Sequence, residues 1–481
     1  MNYRIIVRTL GFILLFEAVF FLVPAITAVC YWEKEFFAFL FCMLLCGAVG
    51  GACFLVKNKG GAMYAKEGFV IVALSWIAMS LFGALPFWFS GAIPSFIDAL
   101  FETVSGFTTT GATILPSGAA VEALPKSMLM WRSFPHWLGG MGVLVFVMVF
   151  LPLSGGRNIS LLQAESTGAA VNKLVPKMRS TARILYLIYT ALTVVQFILL
   201  VFDMPVFDAV NTAFATAGTG GFSVKGDSCA SYSVYSQTVV TVFMILFSVN
   251  FTSFYLILCG KLKEAFNLEV KTFFVIVFAA ILLITLNLQL TGYGYSLGEA
   301  ILHSAFSVAS VISTTGFVTA NFDLWPAFSK TILVLLMFIG ACAGSTGGGI
   351  KVSRVIVLCK GASHEMKRIV HPRQIKKITM DKRIVEHEVV RRINAYFVAY
   401  LLIFVASLLC ISFDCADLTT NFTSVAATLN NIGPGLGLVG PDGNFAFFSD
   451  FSKLVLIFDM LAGRLEVFPM LVLFLPSTWR K

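Results

Sequence analysis

Residues 95–115 read SFIDALFETVSGFTTTGATIL, and three later stretches repeat their plan. They are PVFDAVNTAFATAGTGGFSV at 205–224, YSLGEAILHSAFSVASVISTTGFVTAN at 295–321 and FDCADLTTNFTSVAATLNNIGPGLGLV at 413–439. Each opens near an acid: Asp98, Asp208, Glu299, and Asp414 or Asp417. An acid suits a helix N-terminus, where aligned peptide dipoles leave partial positive charge. Each continues as an amphipathic to apolar segment shorter than the ~20 residues that cross a bilayer. Each ends in Thr/Gly-rich backbone: Thr109-Thr110-Gly111, Thr219-Gly220-Gly221, Thr314-Thr315-Gly316 and Asn431-Ile432-Gly433. The copies lie roughly 90–120 residues apart, so a whole structural unit is duplicated.

The surroundings of these segments are apolar. The chain has 481 residues, 58% hydrophobic and only 12% charged, against about 25% charged in soluble domains. So little charge cannot cover a water-facing surface, which excludes a soluble enzyme, a disordered chain and a secreted disulfide domain. The ten Cys show no CxxC or Cys/His cluster and read as small buried hydrophobes. The five His are scattered, which disfavours a zinc or haem site.

Long apolar runs fall near 9–30, 36–56, 67–90, 127–153, 184–203, 235–259, 271–290, 328–359, 393–413 and 449–476, which predicts ten spans. The first run is longer than a signal-peptide core and reads as a retained span. With the N-terminus inside, alternation places 27 of the 34 Lys and Arg on inner segments and six outside, Arg132 among the six. Arg464 lies within the last span. This bias predicts both termini in the cytoplasm. The net charge of +9 is then a topology signal, with no basic face for nucleic acid.

Irregular backbone at membrane depth is tolerated only where protein buries it or it lines a watery cavity. Four such segments entering from one side are explained together if they converge on one axis. Each short helix then points its C-terminus, carrying about half a negative charge, at that axis. The glycine-rich backbone that follows can turn carbonyls inward and replace the hydration shell of a large alkali cation.

The strings SGFTTTGAT, HWLGGMGV, STTGFVTAN, GSTGGGIKVSR, NNIGPGLG and LAGRLEVFP, in this order, resemble the Trk/Ktr/HKT superfamily of potassium transporters, and specifically its TrkH-type membrane subunits. The resemblance implies an all-α polytopic membrane protein with four pseudo-repeated helix–pore-loop–helix units around a central pore. It implies an extra N-terminal helix pair at 1–57. Repeat 1 is then 58–155 (pore loop about 95–115), repeat 2 is 156–262 (about 205–224) and repeat 3 is 263–360 (about 295–321). Repeat 4 lies within 361–481 (pore loop about 413–439), behind a basic cytoplasmic segment. By resemblance the potassium filter falls at Thr110/Gly111, Gly220/Gly221, Thr315/Gly316 and Ile432/Gly433. The pairing Gly221-Phe222 with Gly316-Phe317 favours Gly221 over Gly220. The fourth repeat departs, with Asn-Ile-Gly-Pro in place of a Thr pair, which puts the oxygen geometry of that quarter in question. The resemblance also implies a homodimer and a cytosolic TrkA-type nucleotide-binding regulatory subunit.

Residues 329–360 would make a straight helix of about 48 Å, against a bilayer core of about 30 Å. The six small residues Gly344, Ser345, Thr346, Gly347, Gly348 and Gly349 cannot hold a helix cheaply, so a break at about 340–350 is expected. A nucleotide P-loop is disfavoured because Ile350 precedes Lys351 and Ser353 is misplaced. Close helix packing is the plainer alternative. The preferred reading is an intramembrane gate loop beneath the filter, with the Ser345 and Thr346 hydroxyls offered to the ion path. Arg464 is costly at membrane depth and should face the pore or a partner; Asp459 and Glu466 are poorly placed to pair with it along the helix. A pore-facing cation there would set an electrostatic barrier to K+, and the resemblance implies the same role. Glu102 is expected to support filter backbone amides, and HWLGGMG at 136–142 to serve helix packing. Asn158, Asn250 and Asn421 match N-x-S/T but sit in or near the membrane or face inside, which disfavours glycosylation.

The expectation is therefore a potassium-uptake subunit in a bacterial cytoplasmic (inner) membrane, not an enzyme, with K+ as cargo and no organic cofactor. The basic stretch 360–392 is the candidate docking surface for the regulator. Three alternatives stand beside it. One is a sodium-selective or sodium/proton-coupled member of the superfamily, disfavoured by Gly111 where Ser would favour it. One is a membrane-embedded enzyme, for which no catalytic cluster appears. One is a scaffold with a vestigial pore.

Overall fold

The computed structural model describes residues 1–56, 65–142, 178–371, 378–381, 383–414 and 416–479. Two spans come first. Tyr3–Phe20 continues through a slight break into Leu22–Cys30, and Phe36–Phe54 returns. Four spans follow that the charge-based reading runs outward: Ala65–Phe89, Met178–Val201, Leu268–Leu290 and His387–Ile411. After each lies a short pore helix: Phe96–Phe107, Val206–Gly218, Leu297–Ile312 and Leu418–Leu429.

The inward spans differ from the sequence expectation. Ten apolar runs predict ten spans, with a break expected only at about 340–350, whereas only six helices are long and apolar enough to cross alone among the described residues. The second inward span is two helices, Val234–Ser248 and Phe251–Leu258, bent by 93°. Val249 is extended there, and the Asn250 side chain caps the new helix by accepting from the Thr252 N–H at 2.8 Å. The third runs Ala327–Ile339, breaks over Gly340–Lys351 and resumes as Val352–Val370. The fourth, Asp450–Arg464, stops where Glu466 and Val467 take positive φ, and Phe468–Phe474 follows. The first is helical over Lys126–Gly140; residues 143–153 of its predicted run, and Asn158, lie outside the described residues. Hydropathy alone does not show the bend at Val249, which lies within a continuous apolar run, whereas the glycine-rich break of the third span is where the sequence places it.

Each outward span buries one part of its apolar surface and exposes another. On Leu268–Leu290, the side chains of Val275, Phe278, Leu282 and Leu286 are exposed at helical spacing, as lipid contact requires. Lipid removes any hydrophobic drive between helices, so packing and hydrogen bonds hold them together. The N-terminal pair illustrates this. Phe21, tilted, and Phe39, edge-on, pack against buried Trp131, whose indole N–H donates to the Gly83 carbonyl at 2.9 Å. Glu33, between the first two spans, accepts from the Lys126 and Ser127 N–H groups at 2.5 and 2.9 Å, satisfying the start of the first inward helix.

The described residues of the 360–392 stretch include regular secondary structure. The helix Val352–Val370 extends into it, and a two-stranded hairpin pairs Thr379 with Ile384 and Met380 with Arg383. Two cations assigned by sequence to loops are buried: Arg132, placed outside, and Lys351, placed inside, are each 3% exposed. Each has a structural partner that charge counting cannot reveal.

Glu33→Ala should lower stability by about 0.5–2 kcal/mol, the usual cost of losing a helix cap. Thermal unfolding in detergent measures it; an unchanged melting temperature would mean that these bonds carry no net stabilisation.

Candidate ion pathway

The four pore helices begin with side-chain caps or Pro. Ser95, Ser296 and Asp417 accept from the N–H groups of Asp98, Glu299 and Thr420, and Pro205 precedes the second helix. Asp417, not Asp414, is thus the acid at the fourth start; Asp414 accepts from Ser449 N–H at 2.7 Å instead. Hydrogen bonds from Ser296 hold the Glu299 carboxyl below the ordinary range, and those from Thr420 do the same for Asp417.

All four helices end in one way. The N–H groups of Thr110, Gly220, Thr315 and Ile432 donate five residues back, to Ser105, Ala215, Ser310 and Ala427, at 2.8–2.9 Å. The residue before each donates three back, at 3.0–3.2 Å. This is a Schellman cap, which places one residue in the left-handed region, usually Gly. Here that residue is Thr109, Thr219, Thr314 or Asn431, with φ between 56° and 59°. Left-handed Thr costs on the order of 1–3 kcal/mol and persists only where its surroundings impose it.

Two residues on, Gly111, Gly221, Gly316 and Gly433 also take positive φ, from 77° to 98°. Gly220 does not, so it occupies the Thr110 and Thr315 position and Gly221 is the equivalent glycine. These glycines close a ring. A Cβ on Gly111 would overlap the Gly220 carbonyl oxygen, one on Gly221 that of Thr315, and one on Gly316 that of Ile432. A Cβ on Gly433 would lie 2.8 Å from the Thr110 oxygen. Ring order equals chain order, and the fourth quarter, despite its Asn-Ile-Gly-Pro, has the backbone of the other three.

Side chains lock neighbouring quarters. His136 Nδ1 lies 2.7 Å from the Gly106 carbonyl, and Phe222 N–H donates to its Nε2 at 3.3 Å. An accepting Nε2 requires the proton of the neutral ring on Nδ1. Arg132 pairs with Glu102 at 2.8 Å, donates to the Ser223 carbonyl at 3.2 Å and lies over the Phe222 ring. Glu102 accepts from Ile114 N–H at 3.0 Å and from the Thr113 hydroxyl, so it supports backbone just past the filter string. Asn431 Nδ2 donates to Thr110 Oγ1 at 3.0 Å and to the Met460 carbonyl at 2.9 Å. In the HWLGGMG stretch, a Cβ on Gly139 would overlap the Phe107 carbonyl, in keeping with close helix packing.

The Gly340–Lys351 loop lies against this ring. Gly348 N–H donates to Thr314 Oγ1 at 2.6 Å, and a Cβ on Gly348 would overlap the Asn430 carbonyl. A Cβ on Gly347 would lie 2.7 Å from the Ser313 oxygen. The loop also pairs with the break in the second inward span. Cys342 N–H donates to Ser248 O at 3.1 Å, and Phe251 N–H to Gly344 O at 3.0 Å. The Ser345 and Thr346 hydroxyls donate to the carbonyls of Cys342 and Phe247, at 2.5 and 3.1 Å. Arg464 donates to Thr346 O at 2.8 Å, to Gly140 O at 2.7 Å and to Gly139 O, so it ties the loop to the first inward helix. Lys351 donates to Gly347 O. Glu466 pairs with Arg354, which lies over the Tyr396 ring, and Asp459 accepts from Ser407 at 2.6 Å.

Known proteins share this architecture. The family model TrkH, described as a cation transport protein, matches residues 33–481. The Trk system potassium uptake protein TrkH of Escherichia coli (strain K12) is 36% identical over 488 residues, covering 100% of both chains. An uncharacterized cation transporter of Methanocaldococcus jannaschii is 31% identical, covering 98% of this chain and 94% of its own. The crystal structure of the potassium transporter TrkH from Vibrio parahaemolyticus superposes with a TM-score of 0.89 at 33% identity, covering 100% of each chain.

Removing one partner of a buried ion pair leaves the other charge uncompensated. Glu102→Ala should therefore destabilise the protein by about 3–5 kcal/mol, and Glu102→Gln, which keeps an acceptor oxygen, by less. Thermal unfolding compares the two; equal, small effects would show that Arg132 does not depend on Glu102.

Proposed function

The chain belongs to the TrkH family of cation transport proteins, and from that premise we propose that it takes up potassium ions across a bacterial inner membrane. It is a polytopic transporter rather than an enzyme. The carbonyls of Thr110, Gly220, Thr315 and Ile432 line the filter, with Gly111, Gly221, Gly316 and Gly433 making room for them. The observation that carries this reading is the closed ring, in which each filter glycine packs against the preceding carbonyl of the next repeat. Carbonyl dipoles arranged in this way replace the hydration shell of a large alkali cation. Uptake then follows the membrane potential, worth about 2.3 kcal/mol per charge per 100 mV.

In this reading the chain divides as a helix pair at 1–57 and repeats at 58–155, 156–262, 263–360 and 361–481. Gly344–Gly349 form the gate, and Arg464 holds it shut beneath the filter by bonding its backbone to the first inward helix. That geometry supports a latch at least as much as a bare electrostatic barrier. Both termini lie in the cytoplasm, in line with the bias of Lys and Arg between alternate loops. The protein works as a homodimer, and a cytosolic TrkA-type nucleotide-binding subunit docks on the basic 360–392 stretch.

Two experiments test this. In potassium-uptake-deficient cells, the wild-type chain should restore growth at low K+, while Gly316→Ser, whose Cβ would overlap the Ile432 carbonyl, should cut K+ preference over Na+ by about tenfold or more. Absence of K+ uptake by the wild type with its regulator present would contradict the transport reading. Neutralising the Lys and Arg of 360–392 should weaken co-purification of the regulator; unchanged recovery would remove that surface from consideration.

A further inference from the structure

Glu269 is the second residue of the third outward span, just after the Asn267 cap, whose side chain accepts from Val270 N–H at 3.0 Å. It is 6% exposed, far too buried for an ordinary surface acid at a helix start. Its Oε1 accepts from Ala343 N–H at 2.7 Å and from Ser353 N–H at 3.2 Å. These two residues stand at the two ends of the glycine-rich loop. Ser353 belongs to the first turn of Val352–Val370, a helix with no side-chain cap at Lys351. Its N–H has no partner within that helix, so it needs one from elsewhere. One carboxylate oxygen therefore clips the entry and the exit of the loop together.

The same helix end is held from outside. Leu268 N–H, the residue before Glu269, donates to Asp381 Oδ1 at 2.8 Å. Asp381 sits at the turn of the 379–384 hairpin, is exposed and has φ 46°. Lys360, on the helix leaving the loop, donates to the Thr379 carbonyl of the hairpin at 2.7 Å. The hairpin thus bridges the helix that carries Glu269 and the helix that leaves the gate.

We propose that Glu269 is a positioning residue that latches the gate loop closed, and that the 379–384 hairpin, through Asp381, is the lever that sets this latch. Displacing the hairpin shifts the start of Leu268–Leu290 against the loop and frees the Ala343 and Ser353 N–H groups. The loop's remaining bonds, to the bent second inward span and to Arg464, then bear the closed state alone. This inference rests on the reading of Gly340–Lys351 as a gate.

Cys342 is a built-in reporter, because it lies in the loop next to Ala343 and is fully buried. The test uses the full chain in liposomes with Cys342 as the single cysteine, a methanethiosulfonate reagent on the cytoplasmic side, and K+ flux without regulator. Glu269→Ala removes charge-assisted bonds and should raise both Cys342 modification and regulator-free flux by about tenfold or more. Glu269→Gln keeps an acceptor oxygen and should stay near wild type, and Asp381→Ala should raise both readouts by a smaller factor. A folding defect lowers flux, so a gain distinguishes latch release from damage. Wild-type values for both readouts in Glu269→Ala overturn the latch, and wild-type values in Asp381→Ala alone overturn the lever. A wild-type chain that carries no K+ even with regulator overturns the underlying pore reading instead.

Discussion

A helix that stops inside a membrane leaves backbone groups with no water to bond, and each must find a protein partner. The four pore helices stop there, and the rest of the molecule is arranged around that requirement. The Schellman caps satisfy the last carbonyls, at the cost of left-handed Thr109, Thr219, Thr314 and Asn431. That geometry turns the following backbone so that the next two residues supply a carbonyl and a glycine to the ring. The ring is thus a consequence of how the helix ends are capped, repeated four times.

The same requirement joins the second and third inward spans. The bend at Ser248–Phe251 and the loop at Gly340–Lys351 each expose backbone groups, and each satisfies the other's. Arg464, at the end of the fourth inward span, adds donors to carbonyls at the end of the first inward helix, so all four inward spans meet at one loop. Breaking that meeting exposes polar backbone, so the proposed gate would open only when something else compensates. The Gly348–Thr314 bond places the loop in direct contact with the residue preceding a ring carbonyl.

Much of this architecture was legible in the sequence, and the reasons are local. Helix-start acids, a span-incompatible length and a Thr/Gly ending are encoded within about twenty residues each, so fourfold repetition exposed the pore helices. Glycine clusters likewise marked the loop at 340–350. What was not legible depends on contacts between distant segments. Arg132 looked like an outer cation, yet Glu102, thirty residues earlier, and Ser223, beyond the second pore helix, hold it inside. His136 looked isolated because its partners Gly106 and Phe222 belong to two different repeats. The hydroxyl partners of Ser345 and Thr346, the Cys342 and Phe247 carbonyls, were likewise not legible, because Phe247 is about a hundred residues away. The bend at Asn250 carries a cap signal, a side chain able to accept from Thr252 N–H, but it is hidden in an apolar run.

The central claim is that the ring of carbonyls binds a dehydrated alkali cation. Its most direct test is a crystal structure in rubidium or thallium(I), read by anomalous scattering. The account predicts a peak on the ring axis, within coordination distance of the Thr110, Gly220, Thr315 and Ile432 oxygens. A map with no ordered cation there, in a protein that transports the same ion, would contradict it.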